Sequence, residues 1–305
     1  MALLDYDVAL EENFQRYAAT LPRPLPDLIA GSDASARHLR QGGYTLFQSP
    51  DQPDDVTVVV ETLALATTLN PTNFLPTASV NDLAMGKARA YACQYLYGEF
   101  HRLLQTPTLS DDAQRYCLAE AQQLQLANLE RLQLNFNQRE RIADFLKDTK
   151  ARSARLMGLS CYVAASAAGE DSAVTGLARE IGETLGVALT ILRDAQETQT
   201  IADFHDRVLR GDYPLPLLFG FEKEADYFSE FFHQAHKPTA DQFVTAQQLT
   251  LQAGYGPAVE MAQELLNQTG LDVKMLPQGP THTALDRVLE RLAEQVDQKL
   301  AEQDK

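Results

Sequence analysis

Apolar residues recur along this chain at spacings of three and four, the period that gathers them on one face of an α-helix. The clearest stripe lies near the C-terminus, where Leu285, Leu289, Leu292, Val296 and Leu300 predict a core-facing helix over 281–303. The same reading predicts helices over about 5–20 and 27–40, separated by the breaker "LPRPLP" (21–26). Glycine, proline and aspartate make "QGGYTLFQSPDQPDD" (41–55) a loop. A helix over 56–69 ends ahead of Pro71, because a proline pushes the preceding residue out of helical geometry. A loop over 70–82 follows, then long helices over 83–105, 111–134, 138–168, 172–198 and 201–210. "RGDYPLPLLFGF" (210–221) predicts a bend at its prolines, before helices over 222–235, 240–253 and 256–269. No long Val/Ile/Thr alternation predicts a strand. The pattern describes an all-α protein, and no repeat or low-complexity linker divides it, so one domain over 1–305 is expected.

Composition agrees with this and narrows the partners. Hydrophobic residues make up 45% of the 305, enough for a sizeable core. A net charge of −16 argues against nucleic acid or an anionic membrane as the main partner, since both repel such a surface. An anionic ligand then requires a local cluster of arginine, lysine or metal. The longest apolar run, "LMGLSCYVAASAA" (156–168), is too short to span a bilayer. The start, "MALLDYDVAL", lacks the basic region of a secretory signal. Cys93, Cys117 and Cys161 are odd in number and widely spaced, which fits buried thiols in a reducing cytoplasm.

The stretch "GVALTILRDAQE" (186–197) is where candidate chemistry concentrates. It is a small, apolar helix that ends in Arg193, Asp194 and Glu197. Asp194 and Glu197 are three apart, so on a helix they share a face and could hold one cation. Magnesium uses one or two carboxylates together with a ligand's phosphates. An ordinary polar helix end has the same pattern. His101, His205, His233, His236 and His282 show no metal-ligand spacing, and no phosphate loop, nucleophile elbow or zinc motif is present.

Five stretches, in order, resemble the trans-polyprenyl diphosphate synthases. "GETLGVALTILRDAQE" (182–197) is similar to that family's second aspartate-rich segment, and "RSARL" (152–156) to its Lys-Thr-Ala motif. "DYPLPLLFGF" (212–221) is similar to the segment that ends Leu-Pro-Leu-Leu-Tyr-Ala-Leu. "VVVETLALATTLNPTNFL" (58–75) resembles the helix that carries the first aspartate-rich motif, and "QGGYTLF" (41–47) stands where the family has Gly-Gly-Lys-Arg-x-Arg. The resemblance implies the isoprenoid-synthase fold, a helical bundle around a central cavity. It also implies magnesium held by two facing aspartate clusters, an allylic diphosphate ionised between them, and isopentenyl diphosphate attacking the cation.

This chain departs from that pattern where the chemistry lies. The first motif's aspartates fall at Pro71, Thr72 and Leu75, and the histidine of the same helix at Ala64. The basic groups for isopentenyl diphosphate fall at Tyr44, Thr45 and Phe47, and nothing in "PTASVND" matches the family's Arg-Arg-Gly. In the second motif Arg193 replaces an aspartate, Asp194 stands, Glu197 replaces the last, and Leu189 and Thr190 take the Phe-Gln positions. Glu61, Ala66, Gly86, Gly182, Leu185, Gly186, Ala188 and "LPLLF" survive as scaffold. No catalytic residue is assigned. The residues left for a diphosphate are Arg152, Ser153, Thr190 and Arg193. Those left for a magnesium ion, should diphosphate binding or activity persist, are Asp194 and Glu197. The resemblance therefore implies a degenerate subunit of a heteromeric prenyl synthase, pairing with itself or with a catalytic homologue and able to take a prenyl diphosphate. The alternative is an active prenyltransferase with a one-sided metal site; a ligand-binding relative with another role is a third reading. The Ala-rich "AMGKARAYAC" within 83–105 would permit close helix approach in a dimer.

Overall fold

Polar caps fix where several helices of the chain begin. In the computed structural model, which describes residues 4, 7–30, 32–49, 55–69, 79–233 and 238–303, the Asp7 carboxylate accepts from Ala9 N at 2.8 Å and starts α1 (Val8–Thr20). Asp33 does the same for α3 (Ala34–Phe47), which follows the short α2 (Leu25–Ala30). After α4 (Asp55–Thr68), a Ser79–Asp82 capping box opens α5 (Val80–Leu104), and Ser110 caps α6 (Asp111–Arg131). A capping side chain satisfies N–H groups that the first helical turn leaves unpaired. The chain continues through α7 (Ile142–Thr149), a π-helical turn over Lys150–Ala154, and α8 (Arg155–Ala167). Asp171 then caps α9 (Ser172–Thr198), the longest helix. The remainder is α10 (Ile201–Leu209), α11 (Leu215–Lys223), α12 (Ala225–His233), α13 (Ala240–Thr250), a second π turn over Leu251–Tyr255, α14 (Gly256–Val273) and α15 (Pro280–Gln303). Among the described residues there is no strand.

Two helices form the centre. Along α4, nearly every side chain from Val56 to Thr67 is buried, and along α9 so are Ile181, Leu185, Ala188, Leu189, Ile191 and Leu192. One apolar core runs from Leu10 through these helices to Val296 of α15. A smaller cluster joins Phe14, Leu21 and Ile29 of the N-terminal helices to Leu65 of α4 and Leu96 of α5. Small residues let α8 and α9 cross closely. A Cβ on Gly182 would lie 2.8 Å from Gly158 Cα, and one on Gly186 would lie 2.8 Å from Ala154 Cα.

Three sequence expectations change. The segment 41–55 is not a loop throughout: Gln41–Phe47 continues α3, and Gly43 marks a close approach. A Cβ on Gly43 would come within 2.6 Å of Met157 Cε on α8. "LPLLFGF" is a helix, not a bend, because Pro214 and Pro216 sit at its first turn, where a missing N–H costs nothing. The helix expected over 138–168 starts at Ile142 and is divided by the first π turn. Pro71, Thr72 and Leu75 lie outside the described residues.

Candidate functional site

Between α3, α4, α8 and α9 lies a cavity of about 180 Å³. Its apolar wall is Leu39, Leu65, Leu156, Met157 and Leu189, and its polar wall includes Asp33, Thr68, Ser153 and Thr190. Three arginines reach it: Arg37, Arg40 and Arg193. Two of them are firmly held by carboxylates from other helices. Arg37 makes a two-point pair with Glu11, at 2.9 and 3.0 Å, and its guanidinium lies 4.7 Å from the centre of the Phe14 ring. Arg40 makes a two-point pair with the buried Glu61, at 3.1 and 2.6 Å. Arg193 is held more loosely, by the exposed Asp33 at 3.3 Å and by Glu197 at 3.6 Å, and its buried Nε has no hydrogen-bond partner.

Behind the cavity, at the C-terminal end of α9, a chain of ion pairs joins five elements. Asp194 is 1% exposed. Its carboxylate accepts from both terminal nitrogens of Arg207 on α10 and from Leu215 N at the start of α11. Arg207 also reaches Glu197 at 3.2 Å and Asp212 at 3.5 Å. Asp212 pairs with Arg131 at the end of α6, and Arg131 meets Asp148 at 3.3 Å and Glu140 at 3.4 Å. Asp148 in turn holds Arg152 of the π turn through two hydrogen bonds, at 2.9 and 2.8 Å.

Burial is the largest single influence on each charge here, and the charged partners answer it unevenly. Burial pushes the Asp212 carboxyl up, but Arg207, Arg131 and Arg152 together hold it below the usual carboxylate value. Burial opposes the charge on Arg207, yet Asp194, Asp212 and Glu197 raise its pKa above the ordinary arginine value. Glu197 stays above the usual carboxylate value because burial outweighs Arg207 and Arg193. Glu140 is pushed up to about 7 by burial, which its single partner Arg131 does not offset.

The structure thus divides the residues singled out from sequence. Ser153, Thr190 and Arg193 share the cavity wall. Arg152, adjacent to Ser153, is directed to Asp148 instead, because neighbours along a helix face different sides and Asp148 lies four residues earlier on its own face. Asp194 and Glu197 are in the ion-pair chain. Their donor set does not fit magnesium: every carboxylate charge at this helix end is already matched by Arg207 or Arg193. Among the described residues, no three His, Cys, Asp or Glu side chains are grouped to hold a metal.

Sequence reasoning missed Arg37, Arg40, Asp33 and Thr68 in the cavity, and Arg207, Asp212, Arg131 and Asp148 in the network. Arg37 and Arg40 carry one signal in the sequence, a three-residue spacing on a helix that runs on to Phe47. The others are brought together only by tertiary packing.

No protein-family model matches this sequence, and none of the curated proteins matches it. Solved structures do match. A geranylgeranyl pyrophosphate synthase from Lactobacillus brevis superposes with a TM-score of 0.77 at 20% identity, over 94% of each chain. A polyprenyl synthase from Caulobacter crescentus, complexed with calcium and isoprenyl diphosphate, gives 0.75 at 17% identity over 93% of each chain. A medium/long-chain prenyl pyrophosphate synthase from Arabidopsis gives 0.73 at 18% identity over 95% of each chain. At such identities the likeness establishes the fold: the chain has the helical architecture of the trans-prenyl diphosphate synthases.

Proposed function

From that fold, we propose that the chain is a non-catalytic subunit in isoprenoid biosynthesis. It keeps a cavity for a prenyl diphosphate and pairs with an active prenyl synthase, whose product length or stability it shapes. One observation carries the reading. The acidic end of α9 is neutralised from within the protein, Asp194 by Arg207 and Glu197 by Arg207 and Arg193. The sequence supplies no carboxylate at 71, 72 or 75 to face it.

Ionising an allylic diphosphate requires neutralisation of the leaving group where its charge develops, and loss of one well-placed stabiliser costs about 2.7–4 kcal/mol. Here a whole carboxylate set for that purpose is missing or engaged. The positions that would clamp the nucleophile's diphosphate are also unsuited: Tyr44 and Phe47 are buried, and the Thr45 hydroxyl donates to Gln41 O at 2.9 Å. A cation formed by chance would meet no oriented partner.

The test incubates the purified protein with isopentenyl diphosphate, each allylic diphosphate and magnesium, alone and mixed with an active synthase. The expected result is no elongation alone and an altered product length or lifetime in the mixture. Robust turnover by the isolated chain, abolished by Asp194→Ala, would overturn the reading in favour of a one-sided active site.

A further inference from the structure

Three carboxylates surround one guanidinium at the end of α9. Asp194 and Glu197 of α9 and Asp212 of the loop before α11 each lie within 3.5 Å of Arg207. A hard divalent cation draws its affinity from unneutralised oxygen charge, and magnesium typically takes one or two carboxylates plus a ligand's phosphates. Here that charge is spent. Against the carboxylates of Asp194, Glu197 and Asp212 stand the guanidinium groups of Arg207, Arg193 and Arg131, so each carboxylate is already paired before an ion arrives. Moving Arg207 aside would also unpair it from the buried Asp194 and from Asp212, and uncompensated charge in such a place is costly.

The cavity in front is lined by guanidinium groups instead. Arg37 and Arg40 are paired with Glu11 and Glu61 outside the lining, and among the described lining residues the carboxylate is the exposed Asp33. Arg193 is the one most easily recruited, since its contacts are a 3.3 Å pair with that exposed group and a 3.6 Å pair with Glu197. A guanidinium suits a diphosphate because its planar N–H fork matches phosphate oxygens two at a time.

We infer that Arg207 is the resident cation of this helix end, and that the cavity takes a diphosphate on guanidinium groups without a divalent metal. The inference rests on the cavity being a diphosphate site, but not on the chain being inactive. Arg193 is the contacting residue. Arg207 acts through position, keeping Asp194 and much of the charge on Glu197 from competing with the ligand for Arg193.

The experiment titrates the full chain with inorganic pyrophosphate by calorimetry, once in EDTA and once with excess magnesium. The expected dissociation constants agree within about threefold, and Arg193→Ala weakens both by about tenfold or more. In parallel, manganese titrated into the wild type and followed by electron paramagnetic resonance should show no stoichiometric bound ion. Binding of pyrophosphate only with magnesium, or a stoichiometric manganese signal lost in Asp194→Asn, would overturn the inference while leaving a diphosphate cavity in place. No pyrophosphate binding in either buffer removes both the inference and the cavity's role. Prenyl turnover would instead count against the non-catalytic reading alone. The wild-type titrations decide the matter even if a variant fails to fold.

Discussion

At the scale of single residues, the ion-pair chain makes sharp stability predictions. Breaking a buried pair by removing one partner costs about 3–5 kcal/mol, because the other charge stays buried alone. Arg207→Met strands Asp194, which is 1% exposed, and should lower stability by about that amount in denaturant unfolding. Arg115→Ala, which removes only a surface pair with Asp112, should stay within about 0.5 kcal/mol of wild type. Glu140 behaves differently, because its carboxyl titrates up to about 7 against an ordinary 4.5. A carboxyl that holds its proton more tightly when folded favours the folded state at low pH. That favour is lost as pH rises from about 4.5 to about 7. Glu140→Gln should therefore flatten the fall in stability across this window and leave the variant at least as stable as wild type at pH 8. Thermal melts at pH 5 and pH 8 check it; an unchanged pH profile would count against a buried, protonated Glu140. None of this was legible in the sequence. Arg131, Glu140, Asp148 and Asp212 are ordinary surface-type residues in one dimension, and only the packing of α6, α7 and the loop before α11 buries them together.

Among the elements, what could be read was what has a period. The stripe over 281–303 and the long run over 172–198 became α15 and α9 nearly as expected, because burial of one face follows directly from spacing. What could not be read was punctuation whose meaning depends on a neighbour. Gly42 and Gly43 have the signature of a turn, yet they lie inside α3, where a side chain on Gly43 would strike Met157. Pro214 and Pro216 look like a bend, yet they start a helix. The candidate site shows the same limit. Thr190 and Arg193 are three apart on α9 and reach one cavity, as helical spacing requires, whereas Arg152 and Ser153 are adjacent and so face different sides, which a reading by motif alone overlooks. The glycine contacts yield a test. Gly182→Ala places a methyl group 2.7 Å from Cys161 Sγ and 2.8 Å from Gly158 Cα, where backbone meets backbone. Overpacking of this kind should cost about 1–3 kcal/mol. Gly176→Ala on the same helix meets open space and should be neutral or stabilising, since alanine is the better helix former. Equal effects of the two substitutions would refute close α8–α9 approach as the reason for glycine.

For the whole molecule, the outcome expected from the proposed subunit role is a dimer, and the exposed side of α5 is the surface to test. The first three turns of α5 are exposed on nearly every side, and they carry Val80 at 81% exposure, Leu83, Met85 and Tyr91 at 72%. Tyr95 continues the row, and Leu126 and Leu129 are exposed on α6. Exposed large apolar side chains concentrated on one helix mark a candidate contact site. Small residues between them, Ala84, Gly86, Ala88 and Ala90, allow another helix to approach, as the sequence suggested. Charge adds a constraint. Two chains of −16 repel at long range, so an interface must be short-ranged and apolar, and association should tighten as salt screens the repulsion. Sedimentation at micromolar concentration should give a dimer of this chain, or a complex with an active synthase when one is present. Adding salt should shift any residual monomer toward the associated form. Tyr91→Glu together with Leu83→Glu puts two charges into the apolar row without touching the buried face formed by Ala92, Cys93 and Leu96. That variant should keep its helical circular dichroism and sediment as a monomer. A wild type that is monomeric at every salt concentration and binds no synthase would remove the dimer, and with it the subunit role proposed for the chain.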